Sequence, residues 1–309
     1  MKKIMISLSS FIVAVLIIGT YMYEKQDPIS LPEIPEPKDT TDFDQEEETL
    51  QPVTDETVSY TLEGEELHIT YNEGDDWIQV PIDKDLLFQG EYQGNETELI
   101  EDSYILSEDI VAFLYAEETN EEQIYKILLS YSRDQGKTWE DSVITDSFSP
   151  MRFRKVDFLD DQFGYVILSG GRTMSQEYSI VYVTHDGGKS WQATEEPPTT
   201  RMLAFGSFVD EETGFLSYGT INPEEPEVYV TQNGGDSWEQ AVFKIPEEFE
   251  DVFVQAEEPV KEDGHLSVLV NQGPNGDYEG GMVKGKFISE DNGLTWEFDE
   301  EVESNEEQE

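Results

Sequence analysis

An eight-residue phrase recurs along this 309-residue chain. Its clearest copy, at residues 184–191, reads THDGGKSW, and three further copies end at Trp139, Trp238 and Trp296. Each begins with Ser or Thr, has Asp or Asn at the third position and Gly at the fifth, and closes on Ser or Thr followed by Trp. A degenerate copy ends at Trp77, so every tryptophan of the chain closes a copy.

The phrase has the chemistry of a tight hairpin turn. An Asp or Asn side chain accepts hydrogen bonds from N–H groups of its own turn, and Gly adopts positive φ without steric cost. Apolar strand-like segments flank the copies, and Asp-Gly or Asn-Gly turns between such segments favour β-hairpins. Because Asn233 replaces the aspartate in one copy, we expect these residues to be structural and not catalytic. They are Asp134, Gly136, Trp139, Asp186, Gly188, Trp191, Asn233, Gly235, Trp238, Asp291, Gly293 and Trp296.

The pattern S/T-x-D-x-G-x-S/T-W is the Asp box, or BNR repeat. Residues 58–302 therefore resemble the Asp-box β-propellers, which include sialidases, sortilin-type receptors and photosystem II assembly factors. The resemblance implies a propeller fold in which the ligand binds on the face opposite the boxes. It implies no single activity, because these families share the turn and not the chemistry.

The units between the tryptophans predict the architecture. Each unit offers strand-like segments before and after its box, and the spacing suits four-stranded blades with repeats of about 40 to 50 residues plus longer connections. We predict an all-β fold, a β-propeller of about five four-stranded blades, with only three strands evident in the first unit. A two-layer β-sandwich is the alternative, but it predicts no repeat of this length.

Composition limits the possible partners. Lys and Arg number 18 against 70 Asp and Glu, which gives a net charge of −52. Such a surface repels phosphates, so nucleic acid is not an expected partner. Cysteine is absent, which excludes disulfides and a thiol nucleophile. The three histidines are scattered, and Asn275, Asp277 and Glu279 lack the remaining ligands of an EF-hand loop, so we predict no metal and no cofactor.

The N-terminal segment predicts export and anchoring. Residues 4–23 carry no charge and follow two lysines, and they are long enough to span a bilayer. Because no small-x-small cleavage site is evident, an uncleaved signal anchor is favoured over a cleaved signal peptide. We predict four segments: an anchor helix at 1–23, an acidic Pro-rich linker at 24–56, the propeller at 57–303 and an acidic tail at 304–309. The bulk of the chain is then extracytoplasmic.

Four of the five arginines map to the end of the units opposite the boxes. Because guanidinium grips carboxylate or phosphate through two hydrogen bonds, we predict an anion-binding patch; the alternative is local ion pairing with acidic neighbours. The four residues are Arg152, Arg154, Arg172 and Arg201.

We predict that the chain is a binding module and not an enzyme. The partner is an envelope protein, a wall polymer or a small anion. Sialidase-like hydrolysis is the first alternative, although the Phe/Tyr-Arg-Ile-Pro motif of that family is missing and Arg152-Phe153-Arg154-Lys155 is its nearest counterpart. An envelope assembly factor is the second alternative.

Overall fold

The computed structural model describes residues 50, 53, 57–91, 94–219, 221, 223–262, 264–273 and 276–303. These residues belong to the second of two units of the chain, Thr49–Glu309. The predicted anchor helix, almost all of the predicted linker and the tail at 304–309 lie outside the described residues. Within the described ranges, no helix combines the length and the apolarity that a bilayer crossing requires.

The described residues form an all-β fold of five sheets. The alternative of a two-layer β-sandwich would have only two. The first sheet has three strands in the order β1-β2-β3, as predicted. The second and third sheets have four strands each, every strand antiparallel to its neighbours. The bounds are β1 Ser59–Thr61, β2 Glu66–Thr70, β3 Ile78–Asp83, β4 Tyr104–Leu106, β5 Val111–Glu118, β6 Tyr125–Ser132, β7 Glu140–Phe148, β8 Met151–Phe158, β9 Gly164–Thr173, β10 Gln176–Thr184 and β11 Gln192–Ala193.

The fourth sheet repeats this plan, and the fifth extends it. The fifth sheet has the order β16-β21-β20-β19-β17, with β18 also pairing with β19 and β16 lying parallel to β21. The bounds are β12 Leu203–Phe208, β13 Gly214–Tyr218, β14 Glu227–Thr231, β15 Glu239–Gln240, β16 Val242–Lys244, β17 Gln255–Ala256, β18 Val260–Glu262, β19 His265–Asn271, β20 Val283–Ser289 and β21 Thr295–Glu303. A short helix, α1 (Lys84–Leu87), and 3₁₀ turns at Glu63–Glu65, Glu247–Phe249 and Tyr278–Gly281 complete the structure.

Each inner sheet is buried on both faces. Successive side chains of a strand point to opposite faces, and in β5 Val111 and Phe113 pack toward the first sheet while Ala112 and Leu114 pack toward the third. In the same way, Val166 of β9 packs toward the second sheet, and the residues before and after it, Tyr165 and Ile167, pack toward the fourth. This explains why the middle strands read as continuous apolar segments and not as alternating ones.

Four hydrophobic clusters join consecutive sheets, from the first to the fifth. The first sheet turns Leu67 and Ile69 into its cluster and leaves His68 and Gln79 on a polar outer face. The fifth sheet likewise places Lys284 and Lys286 on the face that turns away from its cluster. Among the described residues, no hydrophobic cluster contains both the first sheet and the fifth.

Candidate functional site

Every box occupies the same place in its sheet. It connects the last two strands of the sheet proper, as in β10 to β11 and β20 to β21. In an antiparallel sheet, the turn between the first and second strands lies at that same end. We call it the box end. The opposite end holds the connections between the second and third strands and the entries into the first strands, and we call it the arginine end.

The Asp and Asn side chains of the boxes hydrogen-bond to groups of their own turns. One oxygen of the Asp186 carboxylate accepts hydrogen bonds from the Ser190 N–H at 2.9 Å and the Thr184 hydroxyl at 2.8 Å, and the other accepts from the Ser190 hydroxyl at 2.6 Å. These hydrogen bonds, from the Ser190 side chain first, lower the pKa of Asp186 to about 2. Asn233 makes the matching set, accepting from the Ser237 N–H and donating to the Ser237 hydroxyl. The geometry is that of a turn-forming residue.

The boxes of the third and fourth sheets also attach each of these sheets to the one before it. The indole N–H of Trp191 donates to the Ser142 hydroxyl of the second sheet at 3.0 Å, and that of Trp238 donates to the Glu195 carbonyl at 3.0 Å. Gly188 has a φ of +93°, and a Cβ on it would lie 3.0 Å from the ring of Phe158. The glycine is therefore required both for the turn and for close packing.

At the arginine end, Arg152 forms a largely buried ion pair. Its Nε and one terminal nitrogen each lie 2.6 Å from a carboxylate oxygen of Glu177, whose side chain is fully buried. The same arginine donates to the Leu203 carbonyl, and the Leu203 N–H donates to Glu177 at 2.7 Å. Arg152 and Glu177 thus fasten the third sheet to the first strand of the fourth.

Arg154 turns to the other side of the same strand. Its terminal nitrogens donate to the carbonyls of Leu87 at 3.1 Å and Gln89 at 2.6 Å, next to α1. Burial lowers the pKa of Arg154 to about 10, so the side chain stays charged at neutral pH. Its Nε is buried without a hydrogen-bond partner among the described atoms.

Arg172 and Arg201 are more accessible. Arg172 was predicted in a loop, but it lies within β9, because the hairpin it belongs to continues the strand to Thr173. Its Nε is 3.6 Å from the Glu91 carboxylate, and Arg201 pairs with Glu227 at 2.7 Å. The four arginines lie at one end, as predicted, but each faces a carboxylate or carbonyl of the chain. Their anion-binding role stays a prediction.

A second charged group, missed in the sequence, lies further along β8. Lys155 pairs with Glu258 just before β18 in the fifth sheet. Two residues on, Asp157 accepts a hydrogen bond from the hydroxyl of Tyr165 at 3.2 Å. Burial is the main reason that the pKa of Tyr165 is raised, so the phenol is a neutral donor at physiological pH. The available signal was the charge within β8, where four charged residues stand among Met and aromatic or aliphatic ones: Arg152, Arg154, Lys155 and Asp157.

The arginine end also exposes apolar side chains at the tips of three successive loops. Met174 is 95% exposed between β9 and β10, Ile221 is 45% exposed between β13 and β14, and Met282 is 49% exposed before β20. Sequence reasoning missed this set, because lone apolar residues in loops carry no periodicity. No group of three or more His, Asp or Glu in the described part of the chain has metal-binding geometry.

Comparison with known proteins identifies the repeats. The model of the BNR/Asp-box repeat matches residues 130–141 and 182–193. No curated protein sequence matches the chain.

Several solved structures are similar to the chain at 10–14% sequence identity. A GH43_1 enzyme from Xanthomonas citri, complexed with xylotriose, is 10% identical over 70% of this chain and 74% of its own, with a TM-score of 0.38. A GH74 xyloglucanase from Xanthomonas campestris is 14% identical over 75% and 34%, with a TM-score of 0.43. The Trypanosoma rangeli sialidase in complex with the inhibitor DANA is 12% identical over 70% and 40%, with a TM-score of 0.38. The chain spans well under two thirds of the last two proteins, and TM-scores below 0.5 carry no weight for function.

Proposed function

We propose that this chain, which carries BNR/Asp-box repeats, is an extracytoplasmic binding module that docks a protein partner on the arginine end of its sheets. In this proposal the five sheets are the blades of one β-propeller. Residues 4–23 anchor the chain in the membrane, and residues 24–56 hold the propeller away from it.

The observation that carries the proposal is the set of exposed apolar loop tips: Met174, Ile221 and Met282. Contiguous exposed apolar patches are typical of protein interaction sites, and these three side chains lie on neighbouring loops. The loops are neighbours in space. Gln176, beside the loop of Met174, forms a β-bridge with Arg201, and the guanidinium of Arg201 lies near Gly219, beside the loop of Ile221. Pro223 then lies beside both Gly219 and Gly273 of the next loop.

Charge indicates the kind of partner. The loops around Ile221 and Met282 expose Glu224, Glu225, Asp277 and Glu279, and the whole chain carries −52. The negative electrostatic field of these residues attracts cationic surfaces, and it repels anionic membranes or a second copy of the chain. The partner is therefore expected to be an envelope protein with a basic surface and an apolar pocket.

Site-specific photo-crosslinking in native membranes tests this proposal. A photoreactive amino acid at position 174, 221 or 282 of the full chain is expected to give an adduct with one common protein. Positions 143 and 242 are matched controls, because Val143 and Val242 are exposed apolar residues outside these loops. Adducts of the same kind and yield at the control positions would contradict the proposal.

A glycoside hydrolase is the second candidate, and one observation favours it. Tyr165, Asp157, Lys155 and Glu258 place a phenol, two carboxylates and an ammonium around the first strand of the third sheet. A tyrosine nucleophile would need a lowered pKa, whereas burial raises that of Tyr165. The candidate therefore ranks second.

Turnover measurements separate the two functions. Under the binding proposal, a panel of fluorogenic glycosides gives no turnover above that of Tyr165→Phe. Turnover by the unaltered chain that is lost in Tyr165→Phe and kept in Tyr125→Phe would favour the hydrolase.

Anchoring is tested independently. The full chain is expected to remain with membranes after alkaline extraction, and added protease should degrade residues 57–303 from outside the cell. Release of a shortened chain into the medium would instead indicate a cleaved signal peptide.

A further inference from the structure

A cleft at the box end separates the second and third boxes. Its cavity of about 310 Å³ is lined by residues of both boxes and of the turn between β8 and β9. The side chains that matter here are Tyr131, Arg133, Glu140, Asp161, Gln162 and Lys189. The cleft lies away from the arginine end and takes no part in the proposed docking surface.

Arg133 is held in place at this cleft. Its guanidinium carbon lies 5.1 Å from the ring centroid of Phe158 and 6.0 Å from that of Tyr131, and one terminal nitrogen donates to the Gly187 carbonyl at 3.3 Å. Stacking on aromatic rings orients a guanidinium while leaving most of its N–H donors available. The side chain is therefore prepared to bind a further acceptor.

The cations of these two boxes have no carboxylate partner. Arg133, Lys137 and Lys189 make no ion pair within 4.0 Å in the described part of the chain. This is unexpected where 70 acidic residues surround 18 basic ones. The fourth and fifth boxes, TQNGGDSW and SEDNGLTW, contain no cation at all.

The acidic groups of the cleft fall into two kinds. Asp134 and Asp186 are saturated by donors of their own turns, so they offer little to a ligand. Glu140 accepts one hydrogen bond, from the Tyr131 hydroxyl at 3.1 Å, and keeps further acceptor capacity, as does Asp161. The cleft therefore presents a fixed arginine and an exposed lysine beside available carboxylate acceptors.

We infer that this cleft binds a sugar acid, a ligand with one carboxylate and several hydroxyl groups. Arg133 and Lys189 bind the carboxylate through charge-assisted hydrogen bonds. Glu140 and Asp161 accept hydrogen bonds from the sugar hydroxyls, and Gln162 donates and accepts. A bare anion would meet Glu140 and Asp161 with no hydroxyl to offer, and a neutral sugar would leave both cations without a carboxylate.

Binding of D-glucuronate to the full chain in detergent tests the inference, with D-glucose and acetate as comparison ligands. Isothermal titration is expected to show saturable binding of glucuronate alone. Because a hydrogen bond to a charged group contributes about 1.5 kcal/mol or more, Lys189→Gln and Arg133→Gln should each weaken binding about tenfold. Lys244→Gln, which removes an exposed cation from the fifth sheet, is the matched control and should leave binding unchanged.

Lys189→Gln decides the outcome even if Arg133→Gln perturbs the fold, because the Lys189 side chain is exposed and makes no ion pair. Equal binding of acetate or of glucose, no saturable binding of glucuronate, or an unchanged affinity in Lys189→Gln would each overturn the inference. Loss of the photo-crosslinks at the arginine end would leave it untouched, since the two sites use different residues.

Discussion

Asp186 and Asn233 hold the same position in two boxes and hydrogen-bond the same two groups, the N–H and the hydroxyl, of the residue four positions on. An amide can do so because one of its atoms accepts from the backbone N–H while the other donates to a hydroxyl. A carboxylate needs both oxygens as acceptors and so depends on being ionised. The two residues are therefore equivalent in shape and different in their response to pH.

Substitution at Asp186 tests this equivalence. Asp186→Asn is expected to keep the fold with little change, whereas Asp186→Ala should lower the free energy of unfolding by about 1 kcal/mol through lost turn hydrogen bonds. Urea unfolding at pH 7 measures both variants. A cost in Asp186→Asn equal to that in Asp186→Ala would show that the charge itself matters.

Acid separates the variants further. The pKa of Asp186 is lowered from 3.8 to about 2 in the folded chain. A lowered pKa stabilises the fold above pH 3.8, and that stabilisation is lost as pH falls toward 2. In thermal unfolding from pH 5 to 2, Asp186→Asn should lose less stability than the unaltered chain.

Arg152 and Glu177 form the most buried ion pair in the described part of the chain, with side-chain exposures of 21% and 0%. Removing one partner leaves a buried charge, so Arg152→Met should cost about 3 to 5 kcal/mol. Lys244→Met is the control, because Lys244 and Glu297 are both mostly exposed and such pairs contribute about 0.2 to 1 kcal/mol. Urea midpoints compare the two, and equal costs would contradict the assigned role of Arg152.

The box turn acts as one element with two duties, closing a hairpin and packing against the preceding sheet. The second duty adds a restriction at the fifth position beyond the positive φ that the turn itself requires. A Cβ on Gly293 would lie 2.2 Å from a ring atom of Phe215, which is buried in the fourth sheet. A turn facing water would have no such restriction.

Alanine at two glycines separates these duties. Gly293→Ala and Gly64→Ala both place a side chain at positive φ, at a cost of about 1 to 2 kcal/mol, but Gly64 has open space around it. Gly293→Ala should cost about 1 to 3 kcal/mol more because of overpacking. Thermal unfolding of both variants provides the measurement, and similar losses would show that the turn conformation alone requires glycine.

The whole molecule carries a large negative charge that opposes compaction. Raising NaCl from about 10 mM to 150 mM shortens the screening length from about 30 Å to about 8 Å. The melting temperature should therefore rise over this range, most steeply at low salt. MgCl₂ at equal ionic strength is the comparison, and a saturable extra increase would indicate a specific cation site and not screening alone.

Sheet content and order follow from the sequence because their causes are local. Asp-Gly and Asn-Gly turns, β-rich segments and tryptophan spacing predicted four-stranded sheets and a three-stranded first unit. The structure confirms three strands in the first sheet and four in the second, third and fourth, whereas the fifth sheet has six. Local signals did not predict the parallel strand β16 or the depth of Glu177, because each depends on packing between segments that are distant in the sequence. The polar outer faces of the first and fifth sheets likewise depend on which sheets pack together, and local signals did not predict them.

The sequence alone determined where the chain turns, since a glycine with positive φ and an aspartate that satisfies its own turn act over eight residues. Only the tertiary structure decided what the charged side chains do. Arg152 and Arg154 are two residues apart, yet one reaches the fourth sheet and the other reaches the carbonyls beside α1. Whether a guanidinium faces an internal carboxylate, a carbonyl or an open cleft is set by neighbours up to 67 residues away in the sequence, because electrostatic energy depends on distance in space and not along the chain.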